Sequence, residues 1–564
     1  MTGLTSKYLL DIETDDIDAT KIYCIVLKKI NGNYEDHTLS FDDHEVYTYE
    51  GSFGYPSLTE FRIKFVHDHD TVFIGHNLIS FDIPVINRLL HMNIKLDQIE
   101  DTLLLSQLDD PRKNGGHSLK NWGQILKFPK IEFTDFKSGL TQEMLTYCMQ
   151  DVDLNGKVWM TLVNKKIPSN VIETEKKVRA IIQKQEEHGF CLDFPKVMEF
   201  FSFLADNISR IEQELQEIFE PTTIHLKTKT KIIPFNPGSR QQIADRLIKQ
   251  FGWKPNKFTN TGKPMVDEKI LQEINIPESL KLVDYLTLQK RHAQVQSWIK
   301  ATDQSNLVHG RVHTLGTVTG RMTHSNPNMA QVPSTRAPYG HQCREVWIPT
   351  KKNHVLLGCD AKSLELRCLA HYMDDEDFSR EVIEGDIHTF NQQKAGLETR
   401  DQAKTFIYAL IYGAGPGKIG SIVGGSASDG RRLIDNFMSS LPKLQRLKQK
   451  VDLIVQKKYV PGLDGRRIPV EHPHTGLNYL LQGAGAIICK HWLIQMYQIA
   501  SKQELRAAPI ANIHDEMQWE VHEDDVDKLT EAAHEAIKNV REILKFRCDL
   551  GCDVKTGKNW AETH

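Results

Sequence analysis

Apolar positions in the first 160 residues come in short runs with the length and spacing of strands. Tyr8-Leu-Leu-Asp-Ile-Glu13 begins as a buried strand, Ile22 to Lys28 reads as its hairpin partner, and Thr71 to Ile74 as another short strand. Helical periodicity follows Asp82, surrounds Trp122 and runs from Thr141 through Trp159, and Pro168 closes the unit. A long amphipathic stretch from Val171 to Glu187 ends at Gly189, which suits a helix C-cap; a second, from Phe194 to Phe219, ends near Pro221. Between His225 and Ile233, Lys227, Lys229 and Lys231 alternate with small residues, a run equally compatible with a solvated loop and with phosphate contact. From about Arg336 strand and helix patterns alternate to the end, and no internal repeat or low-complexity tract interrupts them.

A chain of 564 residues is too long for one core and suggests three or four domains. With 40% hydrophobic and 26% charged residues its composition is that of an ordinary globular protein. It contains no run near the roughly 20 apolar residues of a membrane span. Asp11, Glu13, Asp15 and Asp16 arrive too early for a signal peptide, so the protein is expected to stay in the cytoplasm where it is made. Of the nine cysteines only Cys548 and Cys552 approach a pair, with no second pair at zinc spacing; they are expected to be buried as small hydrophobes in a reducing compartment. A net charge of −4 neither supports nor excludes nucleic acid, because local basic surfaces can coexist with clustered acids.

Candidate chemistry begins at Asp11 and Glu13. Two apart on a strand, they face the same side. Alone, this D-x-E is more often a solvated strand end than a site. Its company changes the picture: Gly75-His-Asn-Leu-Ile-Ser-Phe-Asp82 sets a carboxylate at the start of a helix, and Tyr147-Cys-Met-Gln-Asp151 sets a phenol and a carboxylate on one helix face. Four hard oxygen donors suit two Mg²⁺ or Mn²⁺ ions about 4 Å apart, with Tyr147 orienting an attacking water. This set, in this order, resembles the tyrosine-containing branch of the DEDD exonucleases over residues 1 to about 160.

A second constellation lies in the C-terminal half. Val355-Leu-Leu-Gly-Cys-Asp360 is a buried strand ending in an acid and continues into a helix through Ala361-Lys-Ser-Leu-Glu-Leu-Arg367. Ile510 to Trp519 reads as a hairpin carrying His514, Asp515 and Glu516. An acid at a buried strand end is costly without a cation, and two from distant segments could bind the paired metals of phosphoryl transfer. Between them Arg400, Lys404, Tyr408 and Tyr412 recur every four residues on one helix. Such a stripe is usually an exposed face; beside two strand-end acids, two cations and two aromatics suit a nucleoside triphosphate and its base.

These segments, with Thr319-Gly-Arg-Met-Thr-His324, Asn328-Met-Ala-Gln-Val-Pro333, Gly385-Asp-Ile-His-Thr389 and Leu481-Gln-Gly-Ala-Gly485, resemble the motifs of the DNA polymerase I family (family A). The resemblance covers essentially the whole chain and is nearest to the replicative polymerases of short-tailed T-odd bacteriophages. It implies a multidomain α/β and α+β fold: an RNase H-like 3′→5′ exonuclease domain over 1–165, thumb and connecting palm segments over 166–335, palm over 336–380, fingers over 381–475 and palm again over 476–564. It implies that Asp360 and Asp515 ligate two Mg²⁺ ions (Mn²⁺ substituting) with the Ala361 carbonyl assisting. Arg400, Lys404 and His388 would hold the triphosphate, Tyr408 would line the sugar pocket, and Tyr412 would stack near the templating base. Glu365 would block a ribose 2′-OH, and Arg321, Gln331, Gln482 and His514 would touch the minor groove or primer terminus, where acceptors are shared by all correct pairs. The implied partners are primer-template DNA and dNTPs, with a phage helicase-primase and a single-stranded DNA-binding protein beyond them, acting on a monomer in the host cytoplasm. T-odd relatives recruit thioredoxin through a long thumb insertion. Here only a short piece separates Phe219 from Phe235-Asn-Pro-Gly-Ser239, so thioredoxin is not expected as a partner, while contact of the three lysines with DNA becomes more expected.

Rival readings meet specific obstacles. A single-subunit RNA polymerase shares the cationic helix but would carry neither Glu365 nor the N-terminal acids. A dedicated exonuclease would not need Asp360 and Asp515 together, and an inactive scaffold would need neither acidic set.

Overall fold

The computed structural model describes residues 6–32, 39–225 and 230–564. Its N-terminal sheet comprises β1 (Lys7–Thr14), β2 (Ile22–Asn31), β3 (Ser40–Thr48), β4 (Val72–Gly75) and β5 (Ile99–Asp101), in the order β3-β2-β1-β4-β5. The first three strands pair antiparallel, while β4 joins β1 in parallel and β5 joins β4 in parallel. Central β1 is covered on both faces, which is why its apolar run is nearly continuous. Tyr8, Leu10 and Ile12 enter one cluster and Leu9 the opposite one, so Asp11 and Glu13 share the face of Leu9.

That face receives α2 (Gln142–Leu162), which follows α1 (Asp82–Leu89) in the chain and is capped by the Thr141 hydroxyl accepting from the Met144 N–H at 3.1 Å. Leu145, Cys148 and Val152 recur at helical spacing toward the sheet. Gly156 permits the close approach, since a Cβ there would lie 2.8 Å from Leu9 Cδ1.

Beyond Pro168, α3 (Ser169–His188) ends at Gly189 with φ 72°, the left-handed termination that glycine accommodates. Two long helices, α4 (Phe194–Ile218) and α5 (Glu278–Ala301), then pack through Leu204, Ile211, Leu215, Leu282 and Leu286, and the rings of Phe201 and His292 stack at 4.2 Å. The lysine-bearing segment beyond α4 corrects the loop reading in part: Thr222–His225 and Thr230–Ile233 pair as antiparallel strands. Lys231 is exposed on the second strand; Lys227 and Lys229 lie outside the described residues.

A second sheet joins β6 (His354–Ala361), β7 (Ala507–Ile513), β8 (Glu516–His522) and β9 (Cys552–Gly557) in the antiparallel order β7-β8-β6-β9. Helix α6 (Leu364–Met373) leaves the end of β6. Between Glu376 and Lys457 the chain is helical throughout, without the strands that alternation would require; α7 (Ile387–Ala395) and α8 (Arg400–Ile411) belong to this insertion, which is centred on Phe378, Phe406 and Phe437. Helices α9 (Gly476–Lys502) and α10 (Val526–Ile543) are joined by the fully buried Trp492, whose indole N–H donates to the Ala533 carbonyl at 3.0 Å.

The N-terminal unit is pinned to the C-terminal part. The Arg112 guanidinium contacts Glu471 at 3.1 Å and donates to the Pro469 carbonyl at 2.8 Å. All nine cysteines are free thiols, eight buried and Cys191 half-buried, as expected of small hydrophobes. Among the described residues no helix is long and apolar enough to cross a membrane.

Candidate active sites

The C-terminal site is built where β6 ends. The Ala361 N–H donates to the Asp515 carbonyl at 3.0 Å, locking the strand end to the β7–β8 turn, where His514 takes a left-handed φ of 58°. Asp360 and Asp515 therefore open on one pocket of about 540 Å³. Burial there, then the neighbouring Asp515 and Glu516 charges, pushes Asp360 up to about 7, and burial raises Asp515. Two carboxylates with raised proton affinity and an adjacent main-chain carbonyl form a donor set that fits hard divalent cations.

Glu516 faces elsewhere. It accepts from Trp560 Nε1 at 2.8 Å, Gln518 Nε2 at 2.7 Å and His564 at 3.0 Å, and lies 3.5 Å from Arg344. Although burial works against ionisation, these partners hold it down at about 2. It is an ionised strut for the hairpin.

Ser363, with φ 48°, turns the chain sharply from β6 into α6 and brings Glu365 into the same pocket. Its carboxylate accepts from Arg321 Nη2 at 2.9 Å and from the Tyr412 hydroxyl at 2.8 Å. Lys404, Tyr408 and His388 complete that wall, with the Tyr408 ring centred 6.3 Å from His388 and 6.4 Å from Tyr412. Among the described residues His388 Nδ1 is buried without a hydrogen-bond partner, and burial, Arg400 and Lys404 hold the imidazole below its ordinary pKa.

Thus Asp360, Ala361, Asp515, Arg321, Glu365, His388, Lys404, Tyr408, Tyr412 and His514 line one cavity, and three expected residues do not. Arg400 is committed to Asp386 through bonds of 2.7 and 3.1 Å. Its side chain is turned to Asp386, the residue before α7, although its charge still bears on His388 in the lining. Gln331 is exposed, its main-chain carbonyl accepting from Gln294 at 2.9 Å. Gln482 is half-buried on α9, near the lining residues Gly485, Ala486 and Cys489. Lys490, also in the lining, is a lone cation in an apolar helical run, the only sequence signal that could have found it.

The N-terminal site is a second pocket, of about 660 Å³, lined by Asp11, Glu13, Asp82, Tyr147 and Asp151. Glu13, Asp82 and Asp151 are buried, and ligand atoms of Asp11, Glu13 and Cys148 lie within 4.8 Å of one another. Burial, then the Asp151 charge, pushes Glu13 up to about 8; burial pushes Asp82 to about 7 and raises Asp11 and Asp151. Among the described residues Asp151 Oδ1 is buried without a hydrogen-bond partner. Mutually repelling carboxylates with an orphaned oxygen fit divalent cations. Two residues without a sequence signal complete the site: Lys130, which pairs with Asp151 and stands 4.6 Å over the Tyr147 ring, and Phe133, whose ring lies 5.6 Å from that of Tyr147. Both come from an irregular segment with no periodicity to mark it.

A pH dependence follows. Raised folded-state pKa values mean that this unit binds more protons folded than unfolded, so stability falls as pH rises from the ordinary carboxylate range, about 4, towards about 8. Without divalent cations, hydrogen-exchange protection of α2 is expected to drop between pH 5 and pH 8, to return on adding Mg²⁺, and to lose part of its pH dependence in Glu13→Gln, the rest remaining with Asp82, Asp11 and Asp151. Protection that is flat with pH in the cation-free protein would contradict this.

The chain is similar to known proteins. Residues 202–562 match the family described as DNA polymerase family A. The chain is 30% identical to the DNA-directed DNA polymerase of Enterobacteria phage T3, over 98% of this chain and 99% of that one. It is 31% identical to its counterpart in Escherichia phage T7, over 86% and 87% respectively. Among solved structures it resembles the POL domain of Pol1 from M. smegmatis, in complex with DNA primer-template and dNTP, with TM-score 0.79, 18% identity, and coverage of 100% of this chain and 97% of that one.

Proposed function

The chain belongs to DNA polymerase family A, and from that premise we propose that it extends a DNA primer on a DNA template at the C-terminal pocket and removes nucleotides from the primer 3′ end at the N-terminal pocket. The convergence of Asp360 and Asp515 with Lys404, Tyr408 and Glu365 around one cavity carries the first half of this reading. Four acids and a tyrosine on a separate sheet support the second. On this reading residues 1–165 are an RNase H-like exonuclease domain, 166–335 thumb and connecting segments, 336–380 and 476–564 palm, and 381–475 fingers.

Asp360, Asp515 and the Ala361 carbonyl would hold two Mg²⁺ or Mn²⁺ ions, and Asp11, Glu13, Asp82 and Asp151 two more, supplying an activated nucleophile and a stabilised leaving oxygen at each site. Lys404 and His388 hold the triphosphate. Arg400 joins them by exchanging the Asp386 carboxylate for a phosphate, one anionic partner for another. Tyr408 packs against the sugar, Tyr412 lies beside the templating base, and His514, Arg321, Gln331 and Gln482 follow the primer terminus and minor groove. At the other site Tyr147 orients the attacking water, and Lys130 keeps Asp151 in place.

An end-labelled hairpin primer tests both halves in one gel. Products lengthen with dNTPs and Mg²⁺ and shorten without dNTPs; absence of both changes would overturn the reading. Glu365 tests sugar selection. Glu365→Ala opens space at the sugar C2′ and removes the acceptor shared by Arg321 and Tyr412, so ribonucleotide use relative to deoxynucleotide use is expected to rise by roughly one to two orders of magnitude in kcat/KM. An unchanged ratio would assign the selection to another side chain.

A further inference from the structure

Beneath the floor of the C-terminal pocket lie four ionic side chains to which nothing above gives a role. Lys490 lines the pocket, yet its ammonium donates inward to both oxygens of Glu175, at 2.7 and 2.8 Å. Arg466 donates to the same carboxylate at 2.7 Å and to Asp464 at 2.6 and 2.9 Å. The Glu175 side chain is 0% exposed and that of Lys490 2%. The cluster joins three separate pieces of chain: α3, the antiparallel hairpin of Tyr459–Pro461 with Arg467–Pro469, and α9.

Buried ion clusters are seldom more stable than apolar packing of the same shape, so two acids and two cations at this spot call for a geometric reason. The turn above them supplies one. At Gly320, with φ 81°, a Cβ would lie 3.2 Å from Arg466 Nη1 and 4.0 Å from Lys490 Nζ, so this stretch of backbone rests on the cluster. The turn is closed by the Gly320 N–H donating to the Thr317 carbonyl at 3.0 Å and the Arg321 N–H donating to Thr317 Oγ1 at 3.0 Å. Its last residue, Arg321, reaches Glu365 at 2.9 Å. A continuous path of contacts thus runs from α3, through the cluster and the turn, to the carboxylate that faces the sugar.

We propose that Glu175, Lys490, Arg466 and Asp464 are positioning residues for sugar selection: they set the height of the Gly320 turn and so hold Arg321 against Glu365. The inference rests on the reading of Glu365 given above. A contribution to stability alone would leave sugar selection unchanged, and this separates the two roles.

Two variants carry the test in the full-length protein. Glu175→Leu with Lys490→Met replaces one acid and one cation by apolar groups and leaves Arg466 paired with Asp464. Glu175→Asp keeps the charge and shortens the reach by one methylene, and serves where the apolar pair fails to fold. The kcat/KM ratio for ribonucleotide over deoxynucleotide is expected to rise roughly tenfold in each folded variant, with the thermal midpoint of Glu175→Asp close to wild type. Combined with Glu365→Ala, Glu175→Asp is expected to add nothing further, because both act through the same contact. If Glu365→Ala changes the ratio and Glu175→Asp does not, the positioning role is overturned and the gate stands. If Glu365→Ala is itself without effect, the gate fails and this inference fails with it. Full additivity of the two substitutions would also overturn the inference.

Discussion

Replacing Asp515 by Asn is expected to abolish primer extension, by at least about 10³-fold in kcat/KM, while 3′ nucleotide removal continues at the wild-type rate. Asp11→Ala with Glu13→Ala is expected to do the reverse. The expectation follows from placement: the first acid sits at the β7–β8 turn of one sheet, the other two on β1 of another, and the two pockets share no lining residue. Burial holds Asp515 above its ordinary pKa, so its charge works against folding, and the neutral isostere should melt no lower than wild type. Loss of synthesis without loss of stability marks a residue kept for chemistry. Steady-state extension, single-turnover degradation and a melting curve on each variant check all three points. Loss of both activities in one normally melting variant would refute the two-site reading.

A second large effect is expected at Tyr408. In a normal dNTP the 3′-OH can hydrogen-bond to its own phosphates and help hold the reactive geometry; a dideoxynucleotide lacks that group. Tyr408 lines the pocket between His388 and Tyr412. Burial, with the Glu365 and Asp515 charges, raises its pKa, so the phenol keeps its proton at neutral pH and can donate where the 3′-OH is missing. In the family, tyrosine at the matching position accompanies ready use of dideoxynucleotides and phenylalanine their rejection. The wild type is therefore expected to use ddNTPs nearly as well as dNTPs, and Tyr408→Phe to discriminate by about two to three orders of magnitude, or ~3–4 kcal/mol of transition-state stabilisation. The ratio of kcat/KM for ddNTP and dNTP in the two proteins decides it. Strong rejection by the wild type, or equal behaviour of the variant, would remove this role from Tyr408.

Much of the molecule is legible in its sequence wherever local periodicity and chemistry coincide. Asp11 and Glu13 were readable because a strand sends alternate residues to one face, and the register bears this out through Leu9. Asp360 and Asp515 stand out as acids at the ends of apolar runs. Strands with a solvated face escaped: β3 carries Asp42, Asp43 and Glu45, and β9 alternates Asp553 and Lys555 with apolar residues, so neither reads as a core strand. Partners distant in sequence escaped too. Nothing near Glu175 announces Lys490, and nothing near Arg400 announces that Asp386 will hold it. The four-residue spacing suggested a slowly turning stripe of four side chains; Lys404, Tyr408 and Tyr412 line the pocket, while Arg400 is held by Asp386.

The ties from Arg112 to Glu471 and Pro469 bear on how the proposed sites would share one primer. With the N-terminal unit fastened to its neighbour, a primer end would reach the other pocket by moving itself, and it would first have to leave its template partner. Each matched base-pair step resists with about 1.4 kcal/mol of stacking, and a mispaired end resists less. On that reading terminal fraying would act as the clock of error removal. Warming would quicken departure of sound and faulty ends alike and narrow the margin between them, so the accuracy of copying would be written partly in the melting behaviour of the last few base pairs.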